Sequence, residues 1–144
     1  MRKNVLALVA SLGLALALAP GCGGDDDGDH DDGDHDHDAP VGDPTGTVCP
    51  DGGTSLTYED FGQPFVEQFC LRCHSESVEG DDRQDAPADH NFDTQFECEA
   101  LAEHMDQKAG SGPDATNDSM PPSAPRPSDE QRAMLSEWLA CGAP

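Results

Sequence analysis

Cys70-Leu71-Arg72-Cys73-His74 is the stretch of this chain best equipped for chemistry. A Cys-x-x-Cys-His run is the attachment signature of a c-type haem. Each thiol adds across a haem vinyl group, its sulfur bonding to one carbon and its proton going to the other. The adjacent imidazole reaches the iron as proximal ligand, and the two-residue gap suits the spacing of the vinyls on one side of the porphyrin. The same residues could form half a zinc site or a redox dithiol in a cytosolic protein. What favours haem here is the rest of the chain.

An iron held by His74 needs a sixth ligand if it is to shuttle electrons without binding other molecules. The candidates are Met105, Met120, Met134, His90 and His104. Met105 and Met134 fall in helical patterns, where methionine usually fills core. Met120 lies in a polar loop, Asn117-Asp118-Ser119-Met120-Pro121-Pro122, where two prolines stiffen the chain that presents the thioether. Met120 is the expected distal ligand. His90, beside Asp89, and His104 read as surface or capping residues. A bis-His iron would also sit at lower potential than a His/Met one.

The N-terminus places this chemistry outside the cytoplasm. Residues 1–21 read as a secretory leader, with basic Arg2 and Lys3 followed by an apolar run from Val5 to Ala19. That run is short for a membrane span. It ends at Leu18-Ala19-Pro20-Gly21-Cys22, the pattern of a bacterial lipoprotein signal cut before a lipid-modified Cys22; ordinary cleavage nearby is the alternative. C-type haem is attached beyond the cytoplasmic membrane, so both routes fit the motif.

Seven Lys plus Arg stand against 30 Asp plus Glu. Losing the leader removes two bases and no acids, which moves the formal charge from −23 to −25. Nucleic acid and anionic membrane surfaces are disfavoured partners, and a basic protein partner is steered in. Membrane contact is expected through lipid at Cys22 alone. Residues 22–48 read as a disordered acidic linker, because Asp25 to Asp38 holds only Asp, His and Gly and cannot offset its ordering entropy. His30, His35 and His37 could bind zinc, copper or nickel loosely there.

Residues 49–144 read as the folded domain, all-α, with three helices and no convincing strand. A first helix is expected over about Thr57 to Cys73, with Phe61, Phe65 and Phe69 as its apolar stripe and Pro64 kinking it or setting its start near Gln63. A second runs from Thr94 to Ala109, capped by Thr94-x-x-Glu97 and stopped by Gly110. Its inner face is expected to carry Leu101 and Met105, with Phe96 and the Lys108 stem as further members. The third is capped by Ser128-x-x-Gln131 and packs Leu135, Trp138 and Leu139 inward. So short a domain with few aromatics makes a thin core, which a covalent haem would fill out.

The order of Phe-rich helix, Cys70-x-x-Cys73-His74, loop, helix, Met120-Pro121-Pro122 and a last helix with Trp138 resembles the small class I cytochrome c family, over roughly Thr57 to Pro144. The resemblance implies thioethers at Cys70 and Cys73, iron between His74 and Met120, and first and last helices crossing with Phe65 or Phe69 against Leu135 or Trp138. The loop after His74 is longer and richer in Asp and Pro than in the shortest members. Arg72, Arg83 and Arg126 are the basic candidates for the haem propionates. Class I folds also bring the domain ends together, so Cys49–Cys141 is the expected disulfide, leaving Cys98 free, with Cys98–Cys141 as the other pairing.

The function implied is single-electron transfer outside the cytoplasm, in the bacterial periplasm or envelope, by a lipid-anchored monohaem c-type cytochrome that is not an enzyme. The alternatives are a haem ligand binder or peroxidase-like protein with an open sixth site, and a divalent-metal-binding lipoprotein working through the Asp/His tract.

Overall fold

The computed structural model of the chain describes residues 42–144. The leader, the Cys22 lipidation site and His30, His35 and His37 lie outside the described residues. The described residues form a helical fold with no strand, only an isolated bridge between Ser111 and Thr116.

The Phe-rich segment starts as a π-helical turn, Tyr58–Gly62, and tightens into α1, Gln63–Phe69. Thr57 caps the turn by accepting from the Asp60 N–H at 3.1 Å. Pro64 sits at the second position of α1, where a helix has no use for the missing N–H. The i+4 stripe is inward as its spacing requires: Phe61, Phe65 and Phe69 are all buried, with successive ring centroids 5.5 and 5.0 Å apart.

The helix expected from Thr94 to Ala109 is two helices, α2 (Gln95–Ala100) and α3 (Ala102–Ala109), broken at Leu101 with φ −111° and ψ 18°. Both outer boundaries stand where the sequence put them, the Thr94–Glu97 capping box and Gly110. The break carries no glycine or proline to announce it. The inner face also differs. Cys98, Met105, Gln107 and Ala109 are buried, Leu101 is half-buried, and Phe96 is 75% exposed. Two residues apart on a helix is about 200° of rotation, so Cys98 turning inward sends Phe96 out.

The last helix, α4 (Asp129–Ala140), starts at the Ser128–Gln131 capping box and buries Leu135, Trp138 and Leu139. Trp138 is the pivot of the core. Tyr58 and Phe61 lie 6.4 and 6.1 Å from it by centroid, and Gly62 lies so close that a β-carbon there would meet its Cζ2 at 2.5 Å. On this side Trp138 meets Tyr58, Phe61 and Gly62, one turn before Phe65 and Phe69, which share the buried core with Leu135 and Trp138. The C-terminus closes over the indole, since Pro144 O accepts from Trp138 Nε1 at 3.3 Å and from the Tyr58 N–H at 2.6 Å. A disulfide joins Cys49 to Cys141, with the Cα atoms 4.8 Å apart.

The packed chain begins earlier than Cys49. Thr45 is buried, and its N–H and hydroxyl donate to the two carboxylate oxygens of Asp106 at 3.0 and 2.9 Å. Asn117 donates to Asp43 O at 2.7 Å. Polar Thr, Asp and Gly gave no apolar pattern from which to read this segment. It is held by hydrogen bonds to α3 and to the loop that follows it rather than by a hydrophobic stripe.

Candidate functional site

The Cys70–His74 segment is the tight turn into which α1 unwinds. Cys70 closes the helix through its N–H to Val66 O at 2.8 Å, and the N–H groups of Cys73 and His74 return to Cys70 O at 3.1 and 3.0 Å. The two cysteines and the histidine are thereby gathered within one turn at the end of the Phe-lined helix. Cys73 is buried and Cys70 half-buried, and neither is in a disulfide. Burial, reinforced by the Cys98 thiol, pushes the Cys70 thiol up to about 12. Reactive dithiol cysteines have depressed values, and Cys70 is shifted the other way by its burial.

His74 stands half-buried with Nδ1 2.8 Å from the backbone carbonyl of His90 and its ring 5.0 Å from that of Phe92. A carbonyl can only accept, so Nδ1 carries the proton and donates, and Nε2 is left with its lone pair. This is the arrangement by which a protein fixes the tautomer and aim of a ligating imidazole. Burial lowers the His74 pKa, partly opposed by that hydrogen bond, which favours the neutral ligand form.

The long loop after His74 is organised by Arg83, which the sequence offered as a haem-propionate partner. Its guanidinium is buried and donates inward to the loop itself. It reaches Ser75 O at 2.8 Å, Val78 O at 3.2 Å, Ala86 O at 3.2 Å, Pro87 O at 2.6 Å and Asn91 Oδ1 at 3.1 Å. Its fork also approaches His90 O at 3.5 Å, the oxygen that receives His74 Nδ1. Asp93 ties down the near end, accepting from Ser75 Oγ at 2.7 Å and the Glu76 N–H at 2.8 Å. The Phe92 N–H closes the loop on His74 O at 3.0 Å.

Arg72 and Arg126 are also engaged with carbonyls. Arg72 donates to Ser123 O and Ala124 O at 2.7 Å each, bridging the Cys70–His74 turn to the loop after Met120. Arg126 donates to Pro122 O at 2.7 Å and Asp118 O at 3.3 Å, folding that loop on itself.

Met120 is half-buried and borders the same apolar cluster that Cys70, Leu71 and Leu101 border. Met105 is buried within that cluster, the place of a core filler, and Met134 packs at its edge. The Met120 loop is pinned at both its backbone groups. Its N–H donates to Lys108 O at 2.9 Å, and its carbonyl accepts from Arg132 Nη1 at 3.0 Å.

Arg132 is the residue that sequence reasoning passed over. It is 3% exposed, and Nη1 donates also to Ala109 O at 2.9 Å and Asn117 O at 3.0 Å. It therefore binds the end of α3, the middle of the following loop and Met120 to α4. The signal was present: Arg132 precedes Leu135 by three residues and Leu139 by seven, which puts it on the buried stripe.

His90 and His104 meet each other, His90 Nε2 lying 2.9 Å from His104 Nδ1. Cys98 is fully buried in α2, with its thiol likewise pushed up to about 12, chiefly by burial. Among the described residues no group of three or more His, Cys, Asp or Glu side chains is arranged to hold a metal ion. No helix among them is long and apolar enough to cross a membrane.

No protein-family model, curated protein or solved structure matches this chain. The functional reading accordingly stands on the residues themselves.

Proposed function

We propose that this chain is an extracytoplasmic single-electron carrier with one covalently attached c-type haem, built on a class I-like cytochrome c plan. The observation that carries the reading is His74. It sits directly after Cys70-x-x-Cys73, its Nδ1 is occupied by the His90 carbonyl at 2.8 Å, and its Nε2 remains for a metal. Cys70 and Cys73 carry the thioethers, His74 is the proximal iron ligand and Met120 the distal one.

The donor set fits that group. The two thiols are outside any disulfide, as thioether formation requires, and a thioether on a pinned loop borders the same apolar cluster as Cys70. When bound, the haem supplies the one-electron iron couple. The residues do the rest: Arg83 and the His90 carbonyl fix the imidazole, Arg132 fixes the Met120 backbone, and the phenylalanines of α1 keep the interior dry. The acidic surface favours a basic redox partner, and Cys22 is the proposed lipid anchor.

The test is the visible spectrum of protein made with a haem-attachment machinery. A covalent, low-spin c-type spectrum with a weak far-red thioether-to-iron band, lost in Met120→Ala, is expected. A high-spin spectrum that shifts with carbon monoxide would move the assignment to a ligand-binding or peroxidase-like protein. Absence of haem would return Cys70, Cys73 and His74 to metal or dithiol chemistry.

A further inference from the structure

Asp89, His90 and His104 form a chain of contacts that the electron-transfer reading does not use. Asp89 Oδ1 lies 2.9 Å from His90 Nδ1, and His90 Nε2 lies 2.9 Å from His104 Nδ1. The imidazole planes are within 11° of each other with centroids 5.0 Å apart. The facing nitrogens are closer than the centroids, so the rings meet edge to edge, nitrogen toward nitrogen. The Asp89 side chain is 80% exposed, the His90 side chain 17%, and His104 is exposed on α3.

The carboxylate sets the tautomer. An ionised Asp89 can only accept, so His90 carries its proton on Nδ1 and turns the lone pair of Nε2 toward His104. A carboxylate–histidine pair of this kind holds imidazoles aimed at metals and raises their basicity. Across the gap His104 offers Nδ1, which donates its proton to His90 when no ion is present and has a lone pair of its own in the other tautomer.

From this we infer that His90 and His104 are a two-imidazole binding site for a divalent transition-metal ion of borderline softness, the class that imidazole suits. Two zinc–nitrogen bonds of about 2.0–2.1 Å at a tetrahedral angle require the nitrogens to part by a few tenths of an ångström and a ring to swing out of the head-on line, so that both lone pairs point at the ion. The exposed His104 side chain can make that movement. Among the described residues no third His, Cys, Asp or Glu side chain completes the set, and the exposure of the pair lets water fill remaining positions. The two imidazoles are not among the residues assigned to the haem, although the His90 carbonyl receives His74 Nδ1 at 2.8 Å, so the two sites adjoin through the His90 backbone. The histidines of the Asp/His tract, residues 25–38, need no fold to bind metal.

That difference defines the experiment. His90 and His104 lie on separate elements and come together only in the folded chain, so zinc bound between them raises the unfolding midpoint. Zinc is the probe because, unlike copper, it cannot exchange electrons with an iron centre. The mature full-length protein and its His104→Asn variant are melted over a zinc series. His104→Asn alters one exposed side chain, and its midpoint without zinc, measured first, reports whether the fold is intact. A zinc-dependent rise in the parent that His104→Asn abolishes is the expected result. Asp89→Asn should need about 10–100-fold more zinc for the same rise. Equal responses in parent and His104→Asn would overturn the assignment, as would a parent that shows no rise at millimolar zinc.

Discussion

Arg132 is where the architecture is most exposed to a single change. Its Nη1 serves three backbone oxygens, of Ala109, Asn117 and Met120, at 2.9 to 3.0 Å. Arg132→Met keeps an apolar stem on the buried stripe of α4 and removes all three donations. The Ala109 and Asn117 bonds are buried, and an orphaned buried acceptor costs about 1–3 kcal/mol. The Met120 carbonyl is nearer solvent and can recover a water. Two orphans thus cost roughly 2–6 kcal/mol, and relief of the guanidinium's own desolvation returns part of it. A loss of about 3 kcal/mol is the outcome, more than a hundredfold in the folding equilibrium. Arg132→Lys keeps the charge and a nitrogen with three protons, but that nitrogen stands one bond short of the reach of Nη1, so recovery should be partial. Urea unfolding of parent and variants measures this directly. In haem-loaded protein the same variant should weaken the far-red thioether band before global unfolding, because the carbonyl of Met120 is one of the three tethers. A loss below about 1 kcal/mol with an unaltered band would refute the argument that Arg132 positions the loop.

Three further outcomes follow from other contacts. Gly62→Ala adds a β-carbon 2.5 Å from Trp138 Cζ2, where the indole is fully buried and has no room to retreat. Overpacking of about 1–3 kcal/mol outweighs the helix-propensity gain of about 1 kcal/mol, so the unfolding midpoint falls. Replacing Cys49 and Cys141 together by serine opens a cross-link spanning 92 residues and should cost about 2–5 kcal/mol, and reductant should lower the parent's midpoint but leave the variant's alone. Cys98, with its thiol held up at about 12 against an ordinary 9.0, ionises first in the unfolded chain. The stability tied to its protonated form is therefore complete below pH 9 and declines as pH rises from there toward about 12. Cys98→Ala should flatten that part of the alkaline stability profile, and a profile as steep as the parent's would refute the assignment to Cys98.

The features legible in the sequence were those written in local spacing. Caps at Thr94 and Ser128, the stop at Gly110, the stripe of Phe61, Phe65 and Phe69, and the position of Pro64 all depend on residues within a turn of one another, and the structure has each of them. What escaped was held together by hydrogen bonds between segments far apart in sequence, which leave no periodicity. Thr45 joins Asp106 across 61 residues, and the break at Leu101 interrupts a pattern that reads as continuous. The arginines make the point most fully. In a chain with 30 carboxylates, the sequence offered Arg72, Arg83 and Arg126 as partners for haem propionates. Yet Arg72, Arg83, Arg126 and Arg132 all direct donors to loop carbonyls. The physical reason lies in the loops that flank the Cys70–His74 turn and Met120. Long, proline-rich and short of regular structure, they carry carbonyl oxygens that no helix or strand can satisfy, and an orphaned carbonyl in the interior costs more than an exposed carboxylate left to water. A planar guanidinium with five donors is the side chain that can answer several such oxygens at once. The chain therefore uses its scarce cations to organise two loops, and His74 and Met120 are the residues those loops hold.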